Sequence, residues 1–343
     1  MLARTSSLIH PLGIEIETPL LVPSFSSKGF GLKKMKGRKH DISEAAILLK
    51  FSKEFLTESL LVSGYDLYYK HIPYNEENFV TEVIFIDSGG YETGNSYDLS
   101  ATTKFNYDLK AWNIDQLKQV ISKWPEHKAG IIVSYDKGNH RISLEDQINC
   151  AKDLFKDYPL MMTDFLIKPE TITQEYVQIE NILKNIHHLE GFNFIGVTER
   201  ELGNSILNRM KNISKIRIAL DEIGNKAPIH VFGSLDPITS ILYFLAGAEV
   251  FDGLTWLKYS YYNNSAIYTS NYGVIGGGGL GIATRDESLK TRSISRNTYY
   301  LEMLKYSMKA FVKDHNFNIF DDIGGKGFGE LIEKSYTTFK SNL

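Results

Sequence analysis

Eight short runs of apolar residues recur along the chain, and their spacing limits the fold more than any other feature. They cover residues 18–24 (TPLLVPS), 59–66 (SLLVSGYD), 83–90 (VIFIDSGG) and 130–136 (GIIVSYD). They continue at 163–168 (TDFLIK), 192–199 (FNFIGVTE), 229–234 (IHVFGS) and 250–256 (VFDGLTW). Each is apolar throughout instead of alternating, the pattern of a strand buried on both faces. Amphipathic stretches lie between them, among them 113–124, 144–155, 174–187 and 236–246. Eight strand-then-helix units predict an α/β chain folded as a (β/α)8 TIM barrel. An open doubly wound sheet is the alternative, and it gives no reason to stop at eight.

The polar residues favour the barrel. Asp66, Asp87, Asp136, Lys168, Glu199, Ser234 and Asp252 all fall at or near the carboxyl ends of their runs. In a barrel those ends share one face, where active sites are built. A single aspartate after a strand reads equally well as a cap on the next helix; seven polar tips point to a common site.

After the eighth run the sequence changes character. Residues 258–295 form an insert rich in Tyr and Gly; its first part, through residue 281, contains the tetraglycine 276–279 and reads as a long loop or small hairpin. Glycines at that density are costly to order, so the segment is expected to be mobile or ordered by a ligand. Helical spacing returns from 292 to 315 through Tyr299, Tyr300, Met303, Leu304, Met308 and Phe311, and residues 296–343 read as a helical extension of one barrel domain spanning 1–343.

Charge and cysteine content remove several function classes. The 38 Lys and Arg against 41 Asp and Glu leave a net charge of −3, so this is no general polyanion binder. A nucleic acid would need a local basic patch, and 28–40 (KGFGLKKMKGRKH) offers Lys28, Lys33, Lys34, Lys36 and Arg38, with Lys258, Arg292 and Arg296 as further phosphate contacts. The single cysteine, Cys150, excludes an internal disulfide framework and a multi-thiolate zinc site. No apolar window approaches the roughly 20 residues that span a bilayer, and the first residues lack a secretion pattern. A cytoplasmic protein without membrane association is expected.

Three motifs carry chemistry. In 85–92 (FIDSGGYE) a strand delivers Asp87, then Ser88, Gly89 and Gly90 permit a tight turn beside a ligand, and Tyr91 offers a stacking face; a plain strand-to-loop Asx turn is the structural alternative. In 247–256 (GAEVFDGLTW) Asp252 ends a strongly apolar strand, a costly place for a carboxylate without a partner or a use. In 134–137 (SYDK) Asp136 occupies another tip.

With these motifs in order, the chain resembles the tRNA-guanine transglycosylases, which exchange a guanine in nucleic acid for a 7-deazaguanine. The likeness spans roughly residues 8–315: 13–24 (GIEIETPLLVPS) resembles the opening strand, and 61–73 (LVSGYDLYYKHIP) the second strand with its tyrosine-rich helix. Residues 87–92 (DSGGYE) are similar to the signature D-S-G-G-[FY]-Q, 248–256 to the stretch ending in F-D that bears the nucleophile, and 297–312 to the closing helix.

The resemblance implies that Asp252 attacks the anomeric carbon and forms a covalent glycosyl-enzyme, with Asp87 as general acid and base. It implies that Asp136 accepts hydrogen bonds from the base edge, that Tyr91 and Phe232 sandwich the base, and that Ser88, Gly196 and neighbouring Gly233 complete the pocket. Its implied partners are a nucleic acid (tRNA or DNA), a 7-deazaguanine base, and a second copy of the chain or a partner subunit. Three departures stand out. The cysteines of the family zinc site are missing and Arg296 stands near the position of its histidine, so neither metal nor cofactor is expected; Lys168 replaces a base-contacting glutamine; and 196–203 (GVTERELG) replaces a glycine-rich turn, with Glu199 and Arg200 making the pocket more polar. Two rival functions remain open at this level: a non-catalytic nucleic-acid or partner-binding subunit, and a nucleoside or glycoside hydrolase on the same barrel.

Overall fold

The computed structural model describes residues 1–33, 41–94, 109–136 and 140–343. Eight parallel strands close into a barrel: β1 (Leu20–Phe25), β2 (Ser59–Ser63), β3 (Val83–Asp87), β4 (Ala129–Val133), β5 (Met162–Ile167), β6 (Phe194–Thr198), β7 (Ile229–Phe232) and β8 (Val250–Gly253). Each pairs with its neighbour in sequence, and β8 pairs with β1, Val250 lying opposite Leu20. The predicted TIM barrel is the fold.

The continuous apolar runs divide by parity into two cores. Leu20, Val22, Phe85, Ile131, Phe194 and Val250 fill the barrel interior, while Leu21, Ile84, Ile132, Ile195, Val231 and Phe251 face the surrounding helices. Alternate side chains point to opposite faces of a strand, so a strand covered on both sides is apolar at every position.

The helices outside begin where the sequence supplies caps. Asn113 and Gln116 form a reciprocal capping box for Ile114–Ile121, Ser143 caps Leu144–Phe155, and Asp236 caps Pro237–Leu245 with a proline in the first helical turn. The helix Asp286–Asp314 completes the ring, six residues longer at its start than the spacing from 292 suggests. Phe317–Phe320, Asp321–Gly324 and Phe328–Lys340 form the C-terminal extension.

One expectation is corrected. The insert contains a hairpin, Ser260–Tyr262 against Ser265–Ile267, but the tetraglycine lies in a helix, Thr269–Ile282, not in a loop. The helix breaks at Gly278 (φ 52°, ψ −133°), a conformation open to glycine alone. The segment packs along the helix Asp286–Asp314, with Gly273 close against Leu289, and these tertiary contacts supply the order that the glycine run lacks by itself. Among the described residues no helix is long and apolar enough to cross a membrane.

Candidate active site

At the carboxyl ends of the strands lies a cavity of about 260 Å³, far above the ~10–15 Å³ that one water needs. Its wall takes an inward-facing side chain from nearly every strand: Ser24 of β1, Ser63 of β2, Asp87 of β3, Leu166 of β5, Thr198 of β6, Phe232 of β7 and Asp252 of β8. Asp136, just past β4, closes the circle. The predicted convergence of Asp87, Asp136, Lys168 and Asp252 is therefore present in the geometry.

Asp252 is buried and held from three sides. Its Oδ2 accepts a hydrogen bond from Ser24 Oγ at 2.7 Å, its Oδ1 accepts one from the Gly233 amide at 3.0 Å, and His230 Nε2 lies 3.3 Å from Oδ1, off the line of a full hydrogen bond. Gly233 can aim that amide because its φ is +79°, the left-handed region.

Asp87 has the opposite environment. Burial pushes its carboxyl up to about 6; the Gly89 amide opposes the shift, and the negative charges of Asp252 and Asp136 reinforce it. Glu92, one turn on, sits between the hydroxyls of Ser26 and Ser63, the latter donating to Oε2 at 2.6 Å. Burial, then the charges of Asp66 and Asp87, pushes Glu92 up to about 8, so it carries its proton at neutral pH.

A four-membered charge cluster forms the facing wall. Asp136 Oδ1 meets Arg141 at 3.1 Å and Oδ2 meets Lys168 at 3.3 Å; Lys168 also reaches Glu201 at 2.7 Å and Arg141 reaches it at 3.4 Å. Burial alone would lower the Lys168 pKa, but Asp136 and Glu201 outweigh it and the net shift is upward. Arg200 and Glu175 extend the charged wall outward.

Tyr91 and Phe232 both line the cavity, and each has a backing group. The Lys28 ammonium stands 4.6 Å from the Tyr91 ring centre and donates to the carbonyls of Tyr91 and Gly94. The Phe232 ring stacks on His230 with centres 3.8 Å apart.

Other expected site residues lie behind this layer. Gly89, at φ +82°, packs against Trp112, whose indole nitrogen would be 2.6 Å from a Cβ there. Gly196 makes room: a Cβ at 196 would fall 2.5 Å from the Phe232 ring and 2.9 Å from Asp164 Oδ1. Asp66 is committed to the Ser27 amide at 2.6 Å and to His71 at 3.2 Å, and Glu199 accepts from the Tyr243 hydroxyl. Ser234 is buried beside Thr239.

Among the expected phosphate contacts, Lys28 is buried and supports Tyr91, so it does not face solvent as the basic-loop reading requires. Lys33 falls in a two-residue strand paired with Ile42–Ser43, and Lys258 ends the helix Thr255–Lys258, half-buried. Lys34, Lys36, Arg38 and the end of the SYDK motif lie outside the described residues.

The sequence reading missed His230, Asp164, Ser24, Arg141 and Glu201. His230 belongs to none of the three motifs. Its signal was parity: it is two positions before Phe232 on β7, hence inward-facing, and a histidine inside an apolar barrel calls for a partner. No protein-family model matches this chain, and no curated protein matches it.

Proposed function

We propose that this protein is a guanine transglycosylase acting on nucleic acid, exchanging guanine for a 7-deazaguanine base through a covalent aspartyl-glycosyl intermediate. One observation carries the reading. Two carboxylates share the cavity in contrasting settings, Asp252 accepting hydrogen bonds from the Ser24 hydroxyl and the Gly233 amide, and Asp87 pushed up to about 6 by burial. A hydrogen-bonded carboxylate beside a buried acid raised toward neutral pH is the arrangement of a nucleophile beside a general acid.

The steps follow from these positions. Asp252 attacks the anomeric carbon as the bond to guanine breaks, and Asp87 gives the departing base its proton. The incoming base then attacks the glycosyl ester, Asp87 takes its proton, and Asp252 leaves as carboxylate. Asp136, held by Arg141 and Lys168, presents acceptors to the base edge, with Tyr91 and Phe232 as the aromatic faces. Glu92 stands where the resembling signature has glutamine. A protonated carboxyl, like an amide, both donates and accepts hydrogen bonds, so the neutral Glu92 fits that position. A base can enter such a mouth only when it has left any stack.

The test is incorporation of labelled guanine into bulk tRNA and into single- and double-stranded DNA, with Asp252→Ala as control. Label is expected in one polymer only and in none with the variant. Label in neither polymer overturns the reading, and release of guanine without incorporation replaces it with hydrolysis.

A further inference from the structure

Beneath the cavity floor, polar groups cross the otherwise apolar barrel interior. His230 Nδ1 lies 2.6 Å from Asp164 Oδ2 on β5, and its Nε2 faces Asp252 Oδ1 at 3.3 Å. All three residues are buried. The remaining surroundings are Phe85 on β3, 5.5 Å away between ring centres, Gly196 opposite on β6, and Phe232 on the same strand. Among the described residues the charged groups acting on the ring are thus Asp164 and Asp252.

With Asp164 and Asp252 both ionised, the geometry favours a charged ring. A neutral imidazole has one N–H, so either tautomer would aim a lone pair at a carboxylate. Only the imidazolium donates toward both. Ionised groups in such a place are costly unless they are paired, and removing one partner leaves the others exposed to that cost.

We propose that His230, charged by its bridge to Asp164, is the positioning residue for Asp252, holding Oδ1 so that Oδ2 faces the anomeric carbon and stabilising the carboxylate when it leaves. The proposal rests on the transglycosylase reading of Asp252. In the first half, Oδ2 forms the C–O bond while the C–N bond to guanine breaks and the base receives the Asp87 proton. In the second, the C–N bond to the new base forms, that base's proton returns to Asp87, and the C–O electrons return to Asp252. His230 gains and loses no proton in either half. Consistent with this, burial alone would lower the His230 pKa, yet the two carboxylates outweigh burial and hold it up at about 9.

Two measurements on the full chain test it. Imidazole nitrogen NMR, with the His230 signals assigned by their loss in His230→Gln, is expected to show both ring nitrogens protonated at pH 7 and the titration lowered by about one unit or more in Asp164→Asn. Guanine exchange by His230→Gln is expected to lose about a hundredfold in kcat with KM nearly unchanged. The further loss of wild-type rate above pH about 9, additional to the fall that Asp87 imposes from about 6, should vanish in that variant and move to lower pH in Asp164→Asn. A neutral ring at pH 7, or a Gln variant with wild-type kcat and alkaline limb, overturns the proposal. A charged ring in a protein that exchanges no guanine instead brings down the reading of Asp252 as nucleophile, and the proposal with it.

Discussion

The Asp136 carboxylate lies so close to Gly90 that a Cβ at position 90 would stand 2.7 Å from Asp136 Cβ and 2.8 Å from its Oδ2. Asp136 cannot easily retreat, because Arg141 and Lys168 grip both of its oxygens. Gly90→Ala is therefore expected to cost about 1–3 kcal/mol of stability through overpacking and to raise KM for the incoming base. Urea unfolding and steady-state exchange measure the two effects; wild-type values of both would show that Asp136 need not hold this place.

As the proposed general acid, Asp87 predicts mirrored pH dependences. Reaction with nucleic acid needs Asp87 protonated, so kcat/KM for the polymer should fall as pH rises through about 6. Reaction of the glycosyl-enzyme with the base needs Asp87 ionised, so kcat/KM for the base should fall as pH drops through the same value. Parallel profiles for the two substrates would remove Asp87 from one of its two roles.

Glu92→Gln tests the buried neutral carboxyl. An acid whose pKa is raised from 4.5 to about 8 keeps its proton in the fold where the unfolded chain has lost it. Its contribution to stability is full below pH 4.5 and is lost as pH rises to about 8, at about 1.4 kcal/mol per pH unit. The variant does not ionise, so it should match the wild type near pH 4 and exceed it increasingly toward pH 8. Chemical denaturation across that range decides it: a constant difference between the two proteins would mean that Glu92 is ionised in the fold.

Phe232→Leu keeps apolar bulk over His230 while removing the flat face toward the cavity. Loss of a base stack of about 1–3 kcal/mol predicts roughly fivefold to 150-fold weaker guanine binding. Calorimetry with free guanine measures it, and unchanged affinity would assign the base to another surface.

The barrel was readable because a strand buried on both faces must be apolar at every position, and eight such runs leave little choice. The acidic tips were readable for the same reason, since Asp87 and Asp252 interrupt runs that are otherwise free of charge. Partners contributed from distant strands were not. Nothing local distinguishes Ser24 from other strand-end serines, and the Arg141–Glu201 contact joins residues 60 apart in a wall that only the closed barrel assembles. His230 could have been found by parity alone. The tetraglycine misled because glycine content predicts the cost of ordering a segment, whereas tertiary neighbours decide whether that cost is met.

Asp252 belongs to the last strand of the ring, and the Ser24 hydroxyl that steadies it belongs to the first, 228 residues earlier. The proposed nucleophile thus sits on the seam where the first and last strands of the cylinder meet. No shorter stretch of chain brings the two side chains together, so an intermediate with an unjoined edge is expected to lack the proposed activity. Recovery of adduct formation during refolding would then serve as a clock for the pairing of the first and last strands.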